Sequence, residues 1–359
     1  DLWDQFIEGN YSTAEPGLIF WSTMSKYSPS NYVGKPIICT NPCAEVPLED
    51  GGACNLGSIN LSRFVNNGYS SNPQINWDQL ADSTRTLVRF LDNVVTWNED
   101  LNALEKQRVA AQETRRLGLG VMGIADMLNQ LGLAYDSDEG ISLITEIMEF
   151  ITNAAYQASA MIAKEKEPSS IFKLDGYKEC PFYQEALSDE TKNLISKHGL
   201  RNIAIMSIAP TGSISNIVLG YEINGKNYIG VSGGVEPIFS TYYTRRSESF
   251  GNKFFKVFHS TIQAYIDVKN MQKEVDAAEK IDDVFVATCD LQIKQMIEDY
   301  GGKAVMTADT HERCTDRVEE AMKHLNAEIV VIVQGDEPLI KVGDFSIFLL
   351  DLKAFREYF

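Results

Sequence analysis

Asn41, Cys43 and Glu45 alternate along Asn41-Pro-Cys-Ala-Glu45, and Cys54-Asn-Leu-Gly-Ser-Ile-Asn60 follows closely. A thiol with an amide two residues before it and a carboxylate two residues after it suits redox or radical chemistry. The thiol can become a reactive sulfur species, Glu45 can carry protons, and Asn41 can orient a hydroxyl. In an extended loop the side-chain period of two sends positions 41, 43 and 45 to one side, gathering the three groups in one pocket. Three plainer readings stand beside this one. Free cysteines are often small buried hydrophobes. A zinc site lacks ligands, since there is no C-x2-C pair and no histidine before His198. A static disulfide among Cys39, Cys43 and Cys54 is disfavoured in a cytosolic setting.

A second candidate is Pro210-Thr211-Gly212-Ser213-Ile214, which follows an apolar strand candidate, Asn202 to Ala209. Such a turn can offer backbone N–H groups and two hydroxyls to a phosphate. The plainer reading is an ordinary turn with Ser213 as a helix cap. Arg245 and Arg246 add charge nearby or are simply solvated. Gly118-Leu-Gly-Val-Met-Gly123 matches G-x-G-x-x-G, with Asp136 and Asp138 downstream. The preceding Leu104 to Arg116 reads as charged helix rather than buried strand, so these glycines are expected to serve close packing, not a dinucleotide. A third constellation comprises Val286 to Asp290, Gly301 to Thr307, Thr315 to Arg317 and Val333 to Pro338. There Asp336, at a strand end before proline, can hold Mg2+ against phosphates or belong to a charged turn.

The elements that position these groups fall into two regions. Trp3 to Phe20, Asn76 to Thr96, Ile141 to Lys164 and Phe254 to Ile266 read as helices, and Tyr27 to Asn41 as loop. Beyond about Asp267 short strands (284–287, 304–306, 329–333) alternate with helices (291–300, 315–325), the pattern of a parallel α/β sheet. A boundary is expected at 268–280, dividing 1–267 from 281–359. The chain has 359 residues and a hydrophobic fraction of 44%, enough for full cores. It carries 50 acidic against 32 basic residues, a net charge of −18, which disfavours nucleic-acid backbones and anionic membranes as partners. No apolar run suits a membrane helix and no signal peptide opens the chain, so a cytoplasmic protein is expected. The absent initiator Met suggests a start inside a longer protein.

Asn41-Pro-Cys-Ala-Glu-Val-Pro-Leu48 with Cys54-Asn-Leu-Gly-Ser-Ile-Asn-Leu61 resembles the finger loop of ribonucleotide reductase large subunits, most closely the adenosylcobalamin-dependent class II enzymes. Arg115-Arg-Leu-Gly-Leu-Gly-Val-Met-Gly-Ile-Ala-Asp126, Ala209 to Ser215 and Ser232-Gly-Gly-Val-Glu-Pro-Ile238 match in the family's order. The resemblance covers positions 1 to 267 and implies a portion of a ten-stranded α/β barrel. It makes Cys43 the thiyl radical that removes the ribose 3′-hydrogen, Glu45 the base for the 3′-hydroxyl, and Asn41 the amide on the ribose hydroxyls. Cys54 becomes half of a reducing dithiol, and positions 210–214 the substrate's phosphate turn. Implied partners are a ribonucleoside di- or triphosphate, a thioredoxin-like or dithiol reductant, and an N-terminal barrel half that this chain lacks. The third constellation resembles 3-deoxy-manno-octulosonate cytidylyltransferase over about 276 to 340. It implies a partial Rossmann-like nucleotidyltransferase unit, with Mg2+ on Asp336 and CTP-dependent activation of a sugar acid. Two truncated enzymes in one chain point to a gene-fragment fusion or assembly chimera, inactive by itself. A non-enzymatic interaction module is the remaining alternative.

Overall fold

The computed structural model describes residues 1–223, 225–238, 242–247, 253–269, 285–289, 291–299, 303–310, 320, 321 and 323. The chain forms two compact units, Asp1–Pro237 and Ile238–Phe359.

The first unit opens with α1 (Leu2–Thr13) and α2 (Trp21–Tyr27). The single helix expected over 3–20 therefore ends early. Ala14 takes a left-handed conformation as C-cap, and Pro16 disfavours helical backbone in the residue before it. Within the expected 27–41 loop lie a 3-10 turn (Pro29–Val33) and strand β1 (Ile37–Thr40), which pairs antiparallel with β2 (Pro47–Glu49). Strand β3 (Asn55–Asn60) follows, then the short pair β4 (Val65–Asn66) and β5 (Gln74–Ile75).

Helix α3 (Trp77–Leu101) starts where the Asn76 side chain accepts the Gln79 N–H, and it buries Leu80, Thr84, Val88, Leu91 and Val95 along one face. Helix α4 (Glu105–Thr114) leads through Arg115, left-handed at φ 45°, into β6 (Leu117–Met122), all six of whose residues are buried. After α5 (Ile124–Leu131), helix α6 (Asp138–Lys166) is capped by Ser137, with Asp138 and Glu139 in its first turn and Lys164 and Lys166 in its last. That charge order complements the helix dipole. Short helices α7 (Leu174–Lys178), α8 (Pro181–Ala186) and α9 (Asp189–His198) complete the helical cover, and β7 (Leu219–Ile223) pairs with β8 (Lys226–Ile229).

The organising sheet is parallel. β3 pairs with β6 from Asn55↔Leu117 to Asn60↔Met122. On the other edge of β6 runs the segment 203–207. Leu117 N–H donates to Ala204 O (2.9 Å), Leu119 N–H to Ile205 O (2.8 Å), and Ser207 N–H to Leu119 O (2.8 Å). The strand expected at 202–209 is thus a third, shorter ladder of which only Met206 forms a formal bridge. One face of this sheet carries Leu117, Leu119, Val121 and Ile59, which join Leu80, Val88, Leu91, Ile147, Ile151 and Ala155 in the main core. Each large aliphatic side chain buried there contributes about 1.5–3 kcal/mol. Among the described residues the sheet does not close. The expected ten-stranded barrel is represented by these parallel strands and their helical cover, because its other edges find no partner strand here.

In the second unit β9 (Tyr242–Ser247) and β10 (Lys253–Phe258) form an antiparallel pair in register Lys253↔Ser247 to Phe258↔Tyr242. The helix expected over 254–266 therefore begins only at α10 (Ser260–Lys269). Lys253-Phe-Phe-Lys-Val-Phe258 is rich in the aromatic and β-branched residues that strands favour. Farther on, β11 (Phe285–Thr288), α11 (Leu291–Asp299) and β12 (Lys303–Met306) agree with the expected alternation, and the two strands are parallel. The motifs at 315–317 and 333–338, Asp336 among them, lie outside the described residues, as do the strand expected at 329–333 and all of the helix expected at 315–325 except positions 320, 321 and 323.

Candidate active site

Cys43 sits at the tip of the β1–β2 hairpin and is exposed. The loop around it is a turn, not the extended run expected from its alternating residues. Ala44 N–H donates to Asn41 O (3.0 Å), Asn41 N–H to Val46 O (3.2 Å), and Val46 N–H to Asn41 Oδ1 (3.0 Å). Ala44 has φ 64°, the left-handed backbone that lets the chain reverse. Asn41 and Glu45 therefore flank Cys43 across a closed loop. Glu45 is half-buried, and its Oε2 is enclosed without a hydrogen-bond partner among the described residues. Ser207 Oγ, on the third ladder, donates to the Glu45 backbone carbonyl at 3.0 Å and ties the loop to the sheet.

Cys54 stands just before β3, partly buried. Burial pushes its thiol up from 9.0 to about 12; the Arg116 guanidinium pulls it down, while Glu49 and Glu45 add to the rise. It is a protonated, reluctant thiol at neutral pH. Cys39 lies exposed on β1, opposite Leu48.

Strand β6 sets these groups in order. A Cβ at Gly118 would lie 2.8 Å from Cys54 Sγ and 2.5 Å from Leu56 Cδ2. At Gly120 it would overlap the Ser207 carbonyl oxygen, and at Gly123, φ 71°, it would press on Asn60 Oδ1 and Val231. Gly118 and Gly120 lie inside a strand and not in a phosphate-binding turn, so the close-packing expectation holds and the dinucleotide motif is incidental. From Gly118 to Gly123 the strand advances about 16 Å.

The turn at 210–214 lies beyond the carboxyl end of this sheet. Gly123 N–H donates to Gly234 O (2.5 Å), and Gly234 packs against Thr211 and Pro210 so tightly that no side chain fits there. Thr211 has φ 54°, and its buried Oγ1 has no partner among the described residues. Gly212, Ser213 and Ile214 are exposed, and their backbone N–H groups make no hydrogen bond with a described residue. They open the 3-10 turn Ile214–Asn216, whose N-cap Ser213 makes no side-chain cap bond. The loop behind is fastened by Asp126 Oδ2, which accepts from Ser232 N–H (2.9 Å) and Ser232 Oγ (2.7 Å). Three N–H groups and a hydroxyl with no partner among the described residues, at the carboxyl end of a parallel sheet, suit an oxyanion.

Sequence reasoning assigned no role to Glu49, Arg116, Ser207, Asp126 or Ser232. A signal existed for the arginine. Charged residues immediately before a wholly apolar strand need buried partners. Arg116 pairs with Glu49 at 2.6 Å, and Arg115 with Asp92 at 2.8 Å, all nearly fully buried. Asp92 also receives Asn202 Nδ2 at 3.0 Å, which joins α3 to the start of the third ladder. No group of acidic, cysteine or histidine side chains among the described residues forms a metal site.

The described residues combine a parallel β3–β6 sheet under helical cover, a β1–β2 hairpin bearing the exposed Cys43, and a turn at 210–214 with exposed backbone: an α/β protein with an accessible thiol. The sequence pattern described as ribonucleotide reductase, barrel domain, matches residues 1–302. The chain belongs to that family. It is 35% identical over 246 residues to the vitamin B12-dependent ribonucleoside-diphosphate reductase of Mycobacterium tuberculosis, across 68% of this chain and 30% of that protein. The protein of the same name from Thermoplasma acidophilum is 36% identical over 245 residues, covering 68% and 28%. The ribonucleoside-diphosphate reductase subunit alpha of Chlamydia pneumoniae is 30% identical over 273 residues, covering 69% and 24%. The chain thus spans less than a third of the length of these relatives. No described helix is long and apolar enough to cross a membrane.

Proposed function

We propose that this chain supplies the thiol hairpin and phosphate turn of a ribonucleotide reductase that converts ribonucleotides to deoxyribonucleotides. The observation that carries the reading is the order along β6: reducing thiol at Gly118, carboxylate loop at Gly120, anion turn beyond Gly123. A nucleotide held by its phosphate at the turn would extend its ribose back toward Glu45 and Cys43.

In this reading Cys43 removes the 3′-hydrogen, Glu45 takes the 3′-hydroxyl proton, and Asn41 holds the ribose hydroxyls. Cys54 and a second thiol from the rest of the enzyme are oxidised to a disulfide. The 2′-hydroxyl leaves as water and a hydrogen takes its place, so two electrons pass from sulfur to carbon. Pro210, Thr211, Gly212, Ser213 and Ile214 hold the phosphates, and an external dithiol or thioredoxin-like reductant restores the thiols. Adenosylcobalamin, when bound, supplies the radical equivalent, and the exposed Cys43 thiol at a hairpin tip is compatible with it. The division into a barrel segment over 1–267, a junction at 268–280 and a C-terminal segment over 281–359 belongs to the same proposal. The cytidylyltransferase reading, with Mg2+ on Asp336, rests on its motif resemblance alone. A parallel strand–helix–strand unit at 285–306 suits many α/β folds equally.

The test is a segment exchange. Residues 1–267 replace the corresponding stretch of a full-length vitamin B12-dependent reductase, which is assayed with adenosylcobalamin and dithiothreitol. Deoxyribonucleotide formation that Cys43→Ser abolishes is the expected result. Turnover indifferent to Cys43→Ser overturns the assignment.

A further inference from the structure

The β3–β6 register sets Leu56 opposite Gly118 and Asn55 opposite Leu117. Cys54 and Arg116 are the residues immediately before the two paired strands. The period of two then sends the Cys54, Leu56 and Arg116 side chains to the same face as the bare side of Gly118. The close approach of Cys54 Sγ and Leu56 Cδ2 to Gly118 agrees with that placement. On this face the Arg116 guanidinium is 4% exposed. Its Nε and Nη2 donate to Glu49 Oε2 at 3.2 and 2.6 Å, and Nη2 donates to Ser30 Oγ at 3.1 Å. Glu49 Oε1 is buried with no partner among the described residues. A Cβ at Gly52 would lie 3.2 Å from it, so the carboxylate faces the turn that runs into Cys54.

Arg116, ahead of β6, and Glu49, whose carboxylate faces the turn that runs into Cys54, therefore lie on the thiol's side of the sheet, and Glu45 in the hairpin loop adds to their electrostatic effect on it. The neighbouring Lys106–Asp50 pair, 2.6 Å apart, is about two-thirds exposed and so screened by solvent.

We propose that Arg116 and Glu49 are positioning residues of the dithiol step, a cation and an anion of opposite effect that set how readily Cys54 releases its proton as it is oxidised. The proposal rests on the reductase reading for the step it serves. Joining two thiols releases two electrons to substrate and one proton from each sulfur. A thiol buried beside two carboxylates resists ionisation, and Arg116 opposes both. Glu49 holds that guanidinium in place while restraining its effect.

The experiment uses the chain as it is and needs no turnover. Iodoacetamide labelling of Cys54 at about pH 8 is followed by peptide mass spectrometry, with exposed Cys43 in the same digest as reference. Arg116→Gln is expected to slow Cys54 labelling about tenfold, and Glu49→Gln to speed it about tenfold, one unit of thiol ionisation each. Arg116→Lys keeps the cation and falls between Arg116→Gln and the parent chain. Should either single variant fail to fold, the double Arg116→Gln/Glu49→Gln replaces both charges with amides that can still hydrogen-bond. It is expected within about threefold of the parent. Loosened packing alone would speed labelling in every variant, and that outcome, or single variants within about threefold of the parent, overturns the proposal. A segment exchange without product would instead remove the reductase reading and leave these rates unchanged.

Discussion

Replacing Gly120 with alanine would put a methyl group inside the van der Waals envelope of the Ser207 carbonyl oxygen and 3.3 Å from Ile208 Cα. Both neighbours are backbone and cannot rotate aside, so the third ladder must retreat by about 1 Å. That retreat stretches two hydrogen bonds, Leu119 N–H to Ile205 O and Ser207 N–H to Leu119 O, each 2.8 Å long. Each is worth about 1 kcal/mol, and overpacking in a filled interior adds about 1–3 kcal/mol. The expected loss is about 3 kcal/mol, read by urea unfolding followed by circular dichroism. Ser207 Oγ moves with its strand, so the bond that anchors the Glu45 carbonyl lengthens as well. Gly212→Ala is the matched control, because nothing lies within 4 Å of its added Cβ. It is expected within about 0.5 kcal/mol of the parent. A Gly120→Ala chain as stable as Gly212→Ala would refute the claim that β6 and the third ladder depend on this close approach.

Two further outcomes follow from the buried charges and the thiol. Asp92→Asn leaves Arg115 and Arg201 facing a neutral group in the interior, where the ion pair is 2.8 Å long and almost fully buried. It should cost about 3–5 kcal/mol in urea unfolding, and a loss below about 1 kcal/mol would show that the surrounding amides suffice. For pH, the Cys54 thiol is raised from 9.0 to about 12 by the fold, so the neutral form is the one the native state favours. Its contribution is complete below the unfolded value and is lost as pH rises from 9.0 toward about 12. The slope from this group is at most about 1.4 kcal/mol per pH unit, and Cys54→Ala should flatten it.

The long helices were legible from apolar spacing alone: the helices expected over 76–96 and 141–164 correspond to α3 (Trp77–Leu101) and α6 (Asp138–Lys166), whose caps, Asn76 and Ser137, only the structure shows. The candidate site residues were legible only as residue types: Asn41-Pro-Cys-Ala-Glu45, Cys54 and Pro210 to Ile214 stand out before any fold is known. Periodicity failed where pairing decided the outcome. Residues 253–258 form a strand because a partner at 242–247 satisfies their backbone, and no count of spacings within one segment contains that partner.

By itself the sequence determined the chemistry on offer: thiols, a carboxylate, an amide, and a glycine- and hydroxyl-bearing turn, in a chain too acidic to hold phosphate by net charge. Only the tertiary structure decided which of them are neighbours. Arg116 lies 67 positions from Glu49, and Ser207 lies 162 from Glu45, yet each pair is in hydrogen-bond contact. Parallel strands are joined by long crossovers, so their ladder brings together residues that local preference cannot connect. The glycines of β6 then fix how closely those strands approach. An accessible Cys43 and a partly buried Cys54 near charged groups are consequences of that packing, and residue types alone do not distinguish them.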